Sequence, residues 1–508
     1  MGPLGTATAS ADDGGATILI TGGGYGHGVG MSQYGARGRA DAGQSAIDIL
    51  AAYYPGTTYS TTSQGPRVLL GKPGSLRLRG PAGVTLTAGG APVATAPANT
   101  DLEVSVSAGA VTAAVLTPAP GAPVVVSQGG APLAVSLSTA APVSVSTTGR
   151  TYQRGRLLLN PATSTIEVVV DQITMQEFLY GLGEVPGTWP TEALRAQVVA
   201  ARSYAAFKVA TARPGSTTDL SASSDMAYLG ASPEAGLGAA NWVRAVDDTN
   251  GLVLVYGGAP IQAFFNSSDG GATERSGYVF ATDLPYLVAA SDPYDAAIGN
   301  SNHSWTRTYS SSELRSWVVA SGRPDPGPVV AVDIGGNVGA SGRVDRADVT
   351  VRGTAATVTM SGNQFRSLVN AGAPSGRTLL STKFSTGSTP PPVANRLPVG
   401  GLDFAVPFFG VTLAAGWASD PDTPGKPVPV LLTVDGAMAG LVWANRTRAA
   451  DGTATAWAAL VGLPRDVNVC AAAIDTALKG WVQIGCRRVV KPPPAPVKKV
   501  KKVKKARR

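Results

Sequence analysis

The sequence predicts an α+β fold dominated by β-strands, with a few helices, a small C-terminal β-sandwich-like domain and a disordered basic tail. The chain of 508 residues contains 63 glycines and 38 prolines, well above average usage. Valine-, threonine- and alanine-rich stretches recur between these residues, a pattern typical of many short strands joined by turns. A chain of this length is expected to form about two to four domains.

The first predicted strand covers residues 16–20, and a short helix follows at residues 45–54, closed by Pro55-Gly56. Apolar runs predict a series of further strands at residues 67–70, 84–86, 102–106, 124–126, 133–137, 156–159 and 166–170. The pattern does not define their register.

Two helices are predicted after these strands. Thr174 and Glu177 have the spacing of a capping box, which begins a helix that ends before Gly183. A second helix begins near Thr191, with one buried face formed by Leu194, Val198, Ala201 and Ala205.

Composition divides the chain further. We expect a disordered leader at residues 1–15, a linker rich in serine, threonine and proline at residues 386–398, and a separate β-rich unit at residues 399–490. The last segment, residues 491–508, has nine basic residues and no acid, so the rest of the chain is close to neutral. A solvated tail without a partner is one reading. The other is attraction to anionic wall polymers or a membrane surface; nucleic acid is less favoured, because no recognition fold accompanies the tail.

The two cysteines, Cys470 and Cys486, are expected to form a disulfide if the protein is exported. We find no signal peptide in the first fifteen residues and no transmembrane stretch. An extracellular or cell-wall location is nevertheless expected.

Residues 22–30 contain six glycines and His27. A Walker loop is excluded because Gly-Lys-Ser/Thr is missing, and a dinucleotide site is disfavoured because no acidic residue follows at the expected distance. A tight structural loop in which His27 makes hydrogen bonds remains the simple alternative. The stretch from Gly26 to Ala36, GHGVGMSQYGA, closely resembles the signature of the SpoIID/LytB family (stage II sporulation protein D and the amidase enhancer LytB).

The resemblance covers residues 16–385 and includes further segments at residues 49–57, 177–186, 192–204, 265–271, 292–295, 341–344 and 379–384. In the family, the last of these normally runs directly into the signature, which in this chain lies at the amino end. The order therefore resembles a circular permutation, with residues 16–60 as the permuted segment. A shared SpoIID-like core requires residues 16–60 to lie beside residues 375–385.

The resemblance implies a peptidoglycan lytic transglycosylase that cleaves glycan strands to anhydromuramyl products, with one glutamate acting as acid and then as base. Glu184 occupies the position of the catalytic glutamate. Its apolar neighbours and the negative end of the preceding helix favour the protonated form. Glu177 is explained by the capping box and Glu192 by the positive helix start. A non-catalytic amidase enhancer or cell-wall-binding scaffold is the alternative function, with an amidase as partner.

Other candidates for substrate binding occur in three segments: His27, Ser32, Gln33 and Tyr34 in the signature, Arg202 and Tyr204 in the second helix, and Asn266, Ser267 and Ser268 in a polar loop. A core role is the alternative for Tyr204. A Ser268–His27–Asp269 triad is disfavoured, because adjacent Ser and Asp rarely orient one histidine. His303 is expected to be structural. Some family members bind zinc through cysteines, but this core has none, so we expect no metal and no cofactor.

Overall fold

A computed structural model describes residues 17–116, 124–127, 130–386, 397–408, 411–421, 426–447, 455–461, 466–474 and 481–490. The predicted leader (1–15), most of the linker and the basic tail (491–508) lie outside these residues. The chain divides into two compact units, Met1–Ala394 and Asn395–Arg508. Strands dominate the structure and helices are few, which confirms the predicted β-dominated α+β class. No helix in the described ranges is both long and apolar enough to cross a bilayer.

The first unit opens with a segment of two helices between short strands. Its elements are β1 (Thr17–Gly22), β2 (Met31–Ser32), α1 (Gln33–Asp41), α2 (Ala46–Tyr53) and β3 (Thr58–Thr61). The predicted helix at residues 45–54 is α2, which begins at a capping box of Ser45 and Asp48. Helix α1 was not predicted, because its sequence QYGARGRAD carries two glycines and no apolar repeat.

A long strand-rich region follows. Its elements are β4 (Val68–Gly71), β5 (Ser75–Arg79), β6 (Val84–Ala88), β7 (Ala91–Ala96), β8 (Asp101–Ser107), β9 (Ala110–Leu116), β10 (Val124–Ser127), β11 (Leu133–Ser136), β12 (Val143–Val145), β13 (Arg150–Tyr152), β14 (Arg156–Pro161) and β15 (Ile166–Asp171). Strand β5 shows the basis of this region: Leu76 and Leu78 are buried while their neighbours are exposed, as a half-buried strand requires. The strands form two sheets in which neighbouring strands are often not consecutive in the chain. The inner side chains of both sheets share one apolar core.

The rest of the unit alternates helices with short strands. Its elements are α3 (Met175–Tyr180), α4 (Thr191–Ala210), β16 (Leu220–Ser221), α5 (Ala239–Asp248), β17 (Leu252–Tyr256), β18 (Ala259–Pro260), β19 (Phe265–Asn266), β20 (Ala272–Thr273), α6 (Ser276–Phe280), β21 (Ala290–Ser291), β22 (Trp305–Ser310), α7 (Ser311–Ala320), β23 (Val329–Ile334), β24 (Asp348–Gly353), β25 (Thr357–Ser361), α8 (Gly362–Gly372) and β26 (Phe384–Thr386). The capping box of Thr174 and Glu177 begins α3 as predicted.

Helix α4 is the central helix of this unit. Leu194, Val198 and Ala201, on its predicted face, are fully buried. Residues outside that face, including Val199 and Ala200, are buried as well, because α1 and α2 pack against the helix from the other side. The prediction of a single buried face was therefore incomplete, since the helix is enclosed almost all round.

The amino-terminal segment joins the end of the unit through β1. This strand lies between β22 and β26, and Gly22 is paired with Trp305 on one side and with Phe384 on the other. The hydroxyl of Ser381 donates to the Gly23 carbonyl oxygen at 2.7 Å. The predicted neighbourhood of residues 16–60 and residues 375–385 is thereby confirmed.

The second unit is a small β-sandwich. Its elements are β27 (Val399–Phe408), β28 (Val411–Ser419), β29 (Val428–Val434), β30 (Ala437–Ala444), β31 (Arg446–Thr447), β32 (Thr455–Val461), β33 (Val467–Ile474) and β34 (Trp481–Val489). One sheet has the order β27-β28-β32-β31, and the other has the order β30-β29-β33-β34. Cys470 and Cys486 form a disulfide with an S–S distance of 2.05 Å, which joins the neighbouring strands β33 and β34.

Candidate functional site

Glu184 lies on the turn between α3 and α4 and is half-buried. Its Oε1 accepts a hydrogen bond from the backbone N–H of Ala227 at 2.5 Å, and the Gln33 carboxamide donates a second one to the carboxyl group. Burial raises the pKa of Glu184, and the two hydrogen bonds only partly oppose it because they favour the charged form. A carboxyl group in this state can hold a proton and still reach a ligand.

An aromatic pair joins the start of α1 to the turn that carries Glu184. The ring of Tyr34, at the start of α1, lies 5.1 Å from the ring of Trp189, on the same turn as Glu184. The Arg37 guanidinium lies over the Trp189 ring, 5.5 Å from the ring centre. The backbone N–H of Tyr34 donates to the carbonyl oxygen of Ser267 at 3.1 Å, which brings the polar loop to the start of α1.

His27 lies among aromatic rings of its own. Its imidazole contacts Phe264 and Phe280, with ring centres 5.5 and 5.2 Å away. Burial, and to a smaller extent the charge of Arg343, lowers the pKa of His27 to about 3, so the ring is neutral at ordinary pH. Its Nδ1 accepts from the Val29 N–H at 3.0 Å. Among the signature residues, it is Gln33 rather than His27 that bonds Glu184.

The glycines of the loop allow two strands of chain to pass in contact. Gly28 has a φ of +71°, and a Cβ there would lie 2.1 Å from Nε of the fully buried Arg343. The N–H groups of Tyr25 and Gly26 donate to the carbonyl oxygens of Ser268 and Leu380. Because the protein itself uses these two amides, they hold the loop to the neighbouring segments and are not available to a phosphate.

Three predicted binding residues are buried supports instead. Ser32 and Ser268 are fully buried, and each donates its hydroxyl to Asp295, at 2.6 and 2.8 Å. Asn266 is 6% exposed, and its carboxamide points to the carbonyl oxygens of Val29 and Met31. These side chains hold the signature segment in position, and their hydroxyl and amide groups are not available to a sugar.

The two candidates on α4 differ from the prediction as well. Arg202 is fully buried, and its Nη1 donates to the carbonyl oxygens of Thr249 and Leu252 at 2.7 and 3.0 Å. It therefore closes the end of α5 and is buried away from any ligand. Tyr204 is 8% exposed and donates its hydroxyl to Asp225 at 2.9 Å, so it belongs mainly to the core. Ser267 stays partly exposed.

The structure contains a buried cluster of three aspartates, the aspartate cluster, that was not predicted from the sequence. Asp269, Asp292 and Asp295 lie with their oxygens within 4.8 Å of one another. Although burial opposes it, hydrogen bonds from His303, Ser32 and Ser268 lower the pKa of Asp295. Burial, followed by the charges of Asp295 and Asp292, raises the pKa of Asp269 well above its usual range. The segment DPYD at residues 292–295, already similar to the family, was the available signal.

These contacts decide two of the alternatives. The Ser268 hydroxyl bonds Asp295 and the His27 Nδ1 accepts from Val29, so they do not form a triad. The carboxylate oxygens of Asp295 are occupied by protein donors, and Asp292 accepts from Tyr53 and Arg39. A zinc site with cysteine ligands does not fit this unit, because both cysteines of the chain form the disulfide of the β-sandwich.

Comparisons with known proteins identify related sequences. The family profile described as Stage II sporulation protein, SpoIID, matches residues 163–256, which include Glu184 and α4. An amidase enhancer of Bacillus subtilis is 40% identical over 131 residues, which is 26% of this chain and 16% of the relative. Stage II sporulation protein D of Bacillus subtilis is 28% identical over 170 residues, 30% of this chain and 48% of the relative.

A third relative, stage II sporulation protein D of Bacillus amyloliquefaciens, is 56% identical over 46 residues, 9% of this chain and 13% of the relative. The chain thus spans less than half the length of each of these relatives. The profile match and the names of the relatives agree with the signature that begins at Gly26. This chain therefore contains a SpoIID domain and is similar in part to stage II sporulation protein D and to an amidase enhancer.

Proposed function

We propose that the protein is a peptidoglycan lytic transglycosylase that uses Glu184 as its single acid and base. The observation that supports this best is the state of that side chain: a half-buried carboxyl group with a raised pKa, on the turn that also carries Trp189 of the aromatic pair. A general acid must be protonated near the working pH, and burial produces this for a glutamate. The SpoIID domain supports a cell-wall-related role.

The proposed reaction needs no water and no second carboxylate. In the first step the Glu184 carboxyl group gives its proton to the glycosidic oxygen as the bond from that oxygen to C1 breaks. In the second step the Glu184 carboxylate takes the proton of the 6-hydroxyl on the same sugar. The 6-oxygen then forms a bond to C1, and the product ends in an anhydro ring. Two-carboxylate hydrolases differ because they deliver water to C1.

The aromatic pair is suited to the substrate of this reaction. A pyranose ring has an apolar face that can lie on an indole or phenol ring, and its hydroxyls face outward to polar groups. Tyr34 and Trp189 offer such a surface at the turn that carries Glu184, and the partly exposed Ser267 offers a hydroxyl group. We assign the glycan strand to this aromatic surface.

The direct test uses purified glycan strands, with and without stem peptides, and detects anhydromuramyl ends by mass spectrometry. Glu184→Gln should lower the rate of their formation by about 10² to 10⁴-fold, the usual contribution of a general acid. Glu177→Gln is the matched control, because a glutamine still serves in the capping box of α3. Wild-type rates in Glu184→Gln would refute the proposal.

A second candidate function has its own support, since the relative with 40% identity bears the name amidase enhancer. In that case the same aromatic surface would bind glycan or an amidase without cleaving. The wild-type protein would raise the rate at which an added N-acetylmuramoyl amidase releases peptides. The Glu184→Gln protein would raise this rate by the same factor. Absence of anhydro ends together with this rate increase would favour the enhancer.

Both candidates act on the cell wall, and we therefore propose an extracellular or cell-wall location. The basic segment at residues 491–508 would add attraction to anionic wall polymers or lipid headgroups through its nine positive charges. Fractionation of cells, with detection of the full chain in wall, membrane and cytoplasmic samples, tests this location.

A further inference from the structure

Ser32 joins the start of helix α1 to the buried aspartate cluster. As the residue that caps α1, it accepts the N–H of Gly35 on its hydroxyl oxygen at 3.0 Å. The same hydroxyl donates its proton to Oδ1 of Asp295 at 2.6 Å. Both side chains are fully buried, so water cannot replace either bond.

Asp295 is itself held from several directions. Its Oδ1 also accepts the N–H of Asp269 at 3.1 Å, and its Oδ2 accepts the Ser268 hydroxyl, the Gly270 N–H and the His303 Nδ1 at 2.8, 3.0 and 2.8 Å. Five donors from three segments therefore converge on one carboxylate. Such a group cannot rotate without breaking several buried hydrogen bonds at once.

The other end of this connection reaches the proposed catalytic carboxyl group. Gln33 and Tyr34 are the first two residues of α1, directly after Ser32. Gln33 donates to Glu184, and Tyr34 places its ring against Trp189. The position of the first turn of α1 thus decides where both side chains meet the Glu184 turn.

We propose that Asp295 is a positioning residue for Glu184: by holding Ser32 it fixes the first turn of α1, which presents Gln33 to Glu184 and Tyr34 to Trp189. This inference rests on the proposed function only in the importance that it gives to Glu184. The contacts themselves predict a measurable property of that side chain, whether or not the protein cleaves glycan.

Two serine variants test the inference in the full chain. Ser32→Ala removes the connection to Asp295 together with the cap of α1. Ser45→Ala is the matched control. Ser45 caps α2 with the same kind of bond, since its hydroxyl oxygen accepts the N–H of Asp48 at 3.2 Å, but its hydroxyl does not bond the aspartate cluster. The readout is the pKa of Glu184, followed by NMR of selectively ¹³C-labelled glutamate and assigned by the signal lost in Glu184→Gln.

We expect Ser32→Ala to raise the pKa of Glu184 by roughly half a unit, about half the effect of losing one whole hydrogen bond to its charged form. Ser45→Ala should leave it unchanged. No shift in Ser32→Ala, or equal shifts in the two variants, would overturn the positioning role. The pKa measurement needs no substrate. A wild-type protein without activity would therefore refute the proposed transglycosylase but would not affect the test of the positioning role.

A measurement on the wild-type protein replaces the variants if Ser32→Ala does not fold. The N–H of Gly35 and the N–H of Asp48 donate to the two capping serines, and their hydrogen exchange can be compared directly. A fixed first turn of α1 predicts exchange of Gly35 at the slow rate of the buried core, well below that of Asp48. Equal rates at the two amides would contradict the proposal.

Discussion

Gln33 donates a hydrogen bond to Glu184, and this contact joins the signature at the amino end of the chain to the turn before α4. The donor is 8% exposed, so the bond is shielded from solvent. Because a donated hydrogen bond favours the charged carboxylate, Gln33 keeps the pKa of Glu184 lower than burial alone would set it.

The pH dependence of activity should follow from this balance. If Glu184 is the general acid that we propose, it must start protonated, and the cleavage rate should fall as the pH rises through its raised pKa. Gln33→Leu removes the donor and should move that alkaline limb upward by about one pH unit. The exposed Gln483 on β34 provides the control, because Gln483→Leu makes the same substitution in the second unit, outside the unit that contains Glu184. A downward or absent displacement in the profile of Gln33→Leu would contradict the assigned bond.

The neutral state of His27 can be measured directly. With the pKa of its imidazole lowered to about 3 by burial, the ring should not titrate between pH 5 and pH 9. We expect its Cε1–H resonance to keep one chemical shift over this range. His27→Gln identifies the signal, and a midpoint near 6.5, the ordinary value of histidine, would show that the ring is open to water.

The glycine loop should be sensitive to one added methyl group. Gly28→Ala places a Cβ against Arg343 at a φ of +71°, whereas Gly43→Ala places one at a φ of +84° with no atom within 4 Å. The second variant isolates the cost of the left-handed backbone, about 1 kcal/mol. Gly28→Ala should lower the free energy of unfolding by about 3 kcal/mol or more, since overpacking is added. Urea unfolding measures both, and equal losses would mean that Arg343 moves aside freely.

The aspartate cluster predicts how the free energy of unfolding depends on pH. The folded state raises the pKa of Asp269 far above its usual 3.8, so folding favours the protonated form. This contribution to stability is complete below pH 3.8 and is lost as the pH rises toward the folded-state pKa. Wild-type protein should therefore lose free energy of unfolding with rising pH more steeply than Asp269→Asn, which cannot ionise. Asp283→Asn, at an exposed ion pair, serves as the control and should behave like wild type.

The disulfide gives a prediction for the β-sandwich alone. Cys470 and Cys486 are separated by 16 positions, and a closed loop of this size contributes about 3 kcal/mol. Calorimetry with and without dithiothreitol should show an earlier unfolding transition for this unit after reduction, and none of this effect in a Cys470→Ser/Cys486→Ser double variant. An unchanged thermogram would show that the bond adds nothing to stability.

Local patterns predicted local structure well, as the capping boxes illustrate. Thr174 and Glu177 identified the start of α3, because a cap depends on residues within one turn. Long-range partners were not accessible in the same way. Nothing near Arg202 in the sequence indicates that its guanidinium closes α5, since Thr249 and Leu252 reach it only in the folded core. The contact of Gln33 with Glu184 is of the same kind, and only the family resemblance suggested their proximity.

The placement of β1 between β22 and β26 also orders the assembly of the site in time. Gln33 is synthesised before Glu184, yet the strand that leads to it has no neighbours until Trp305–Ser310 and Phe384–Thr386 have emerged. Asp295, which holds Ser32, is likewise made later than the carboxyl group that it helps to position. A growing chain therefore completes the site around Glu184 only at the close of this unit's folding, and contacts this distant in sequence form slowly.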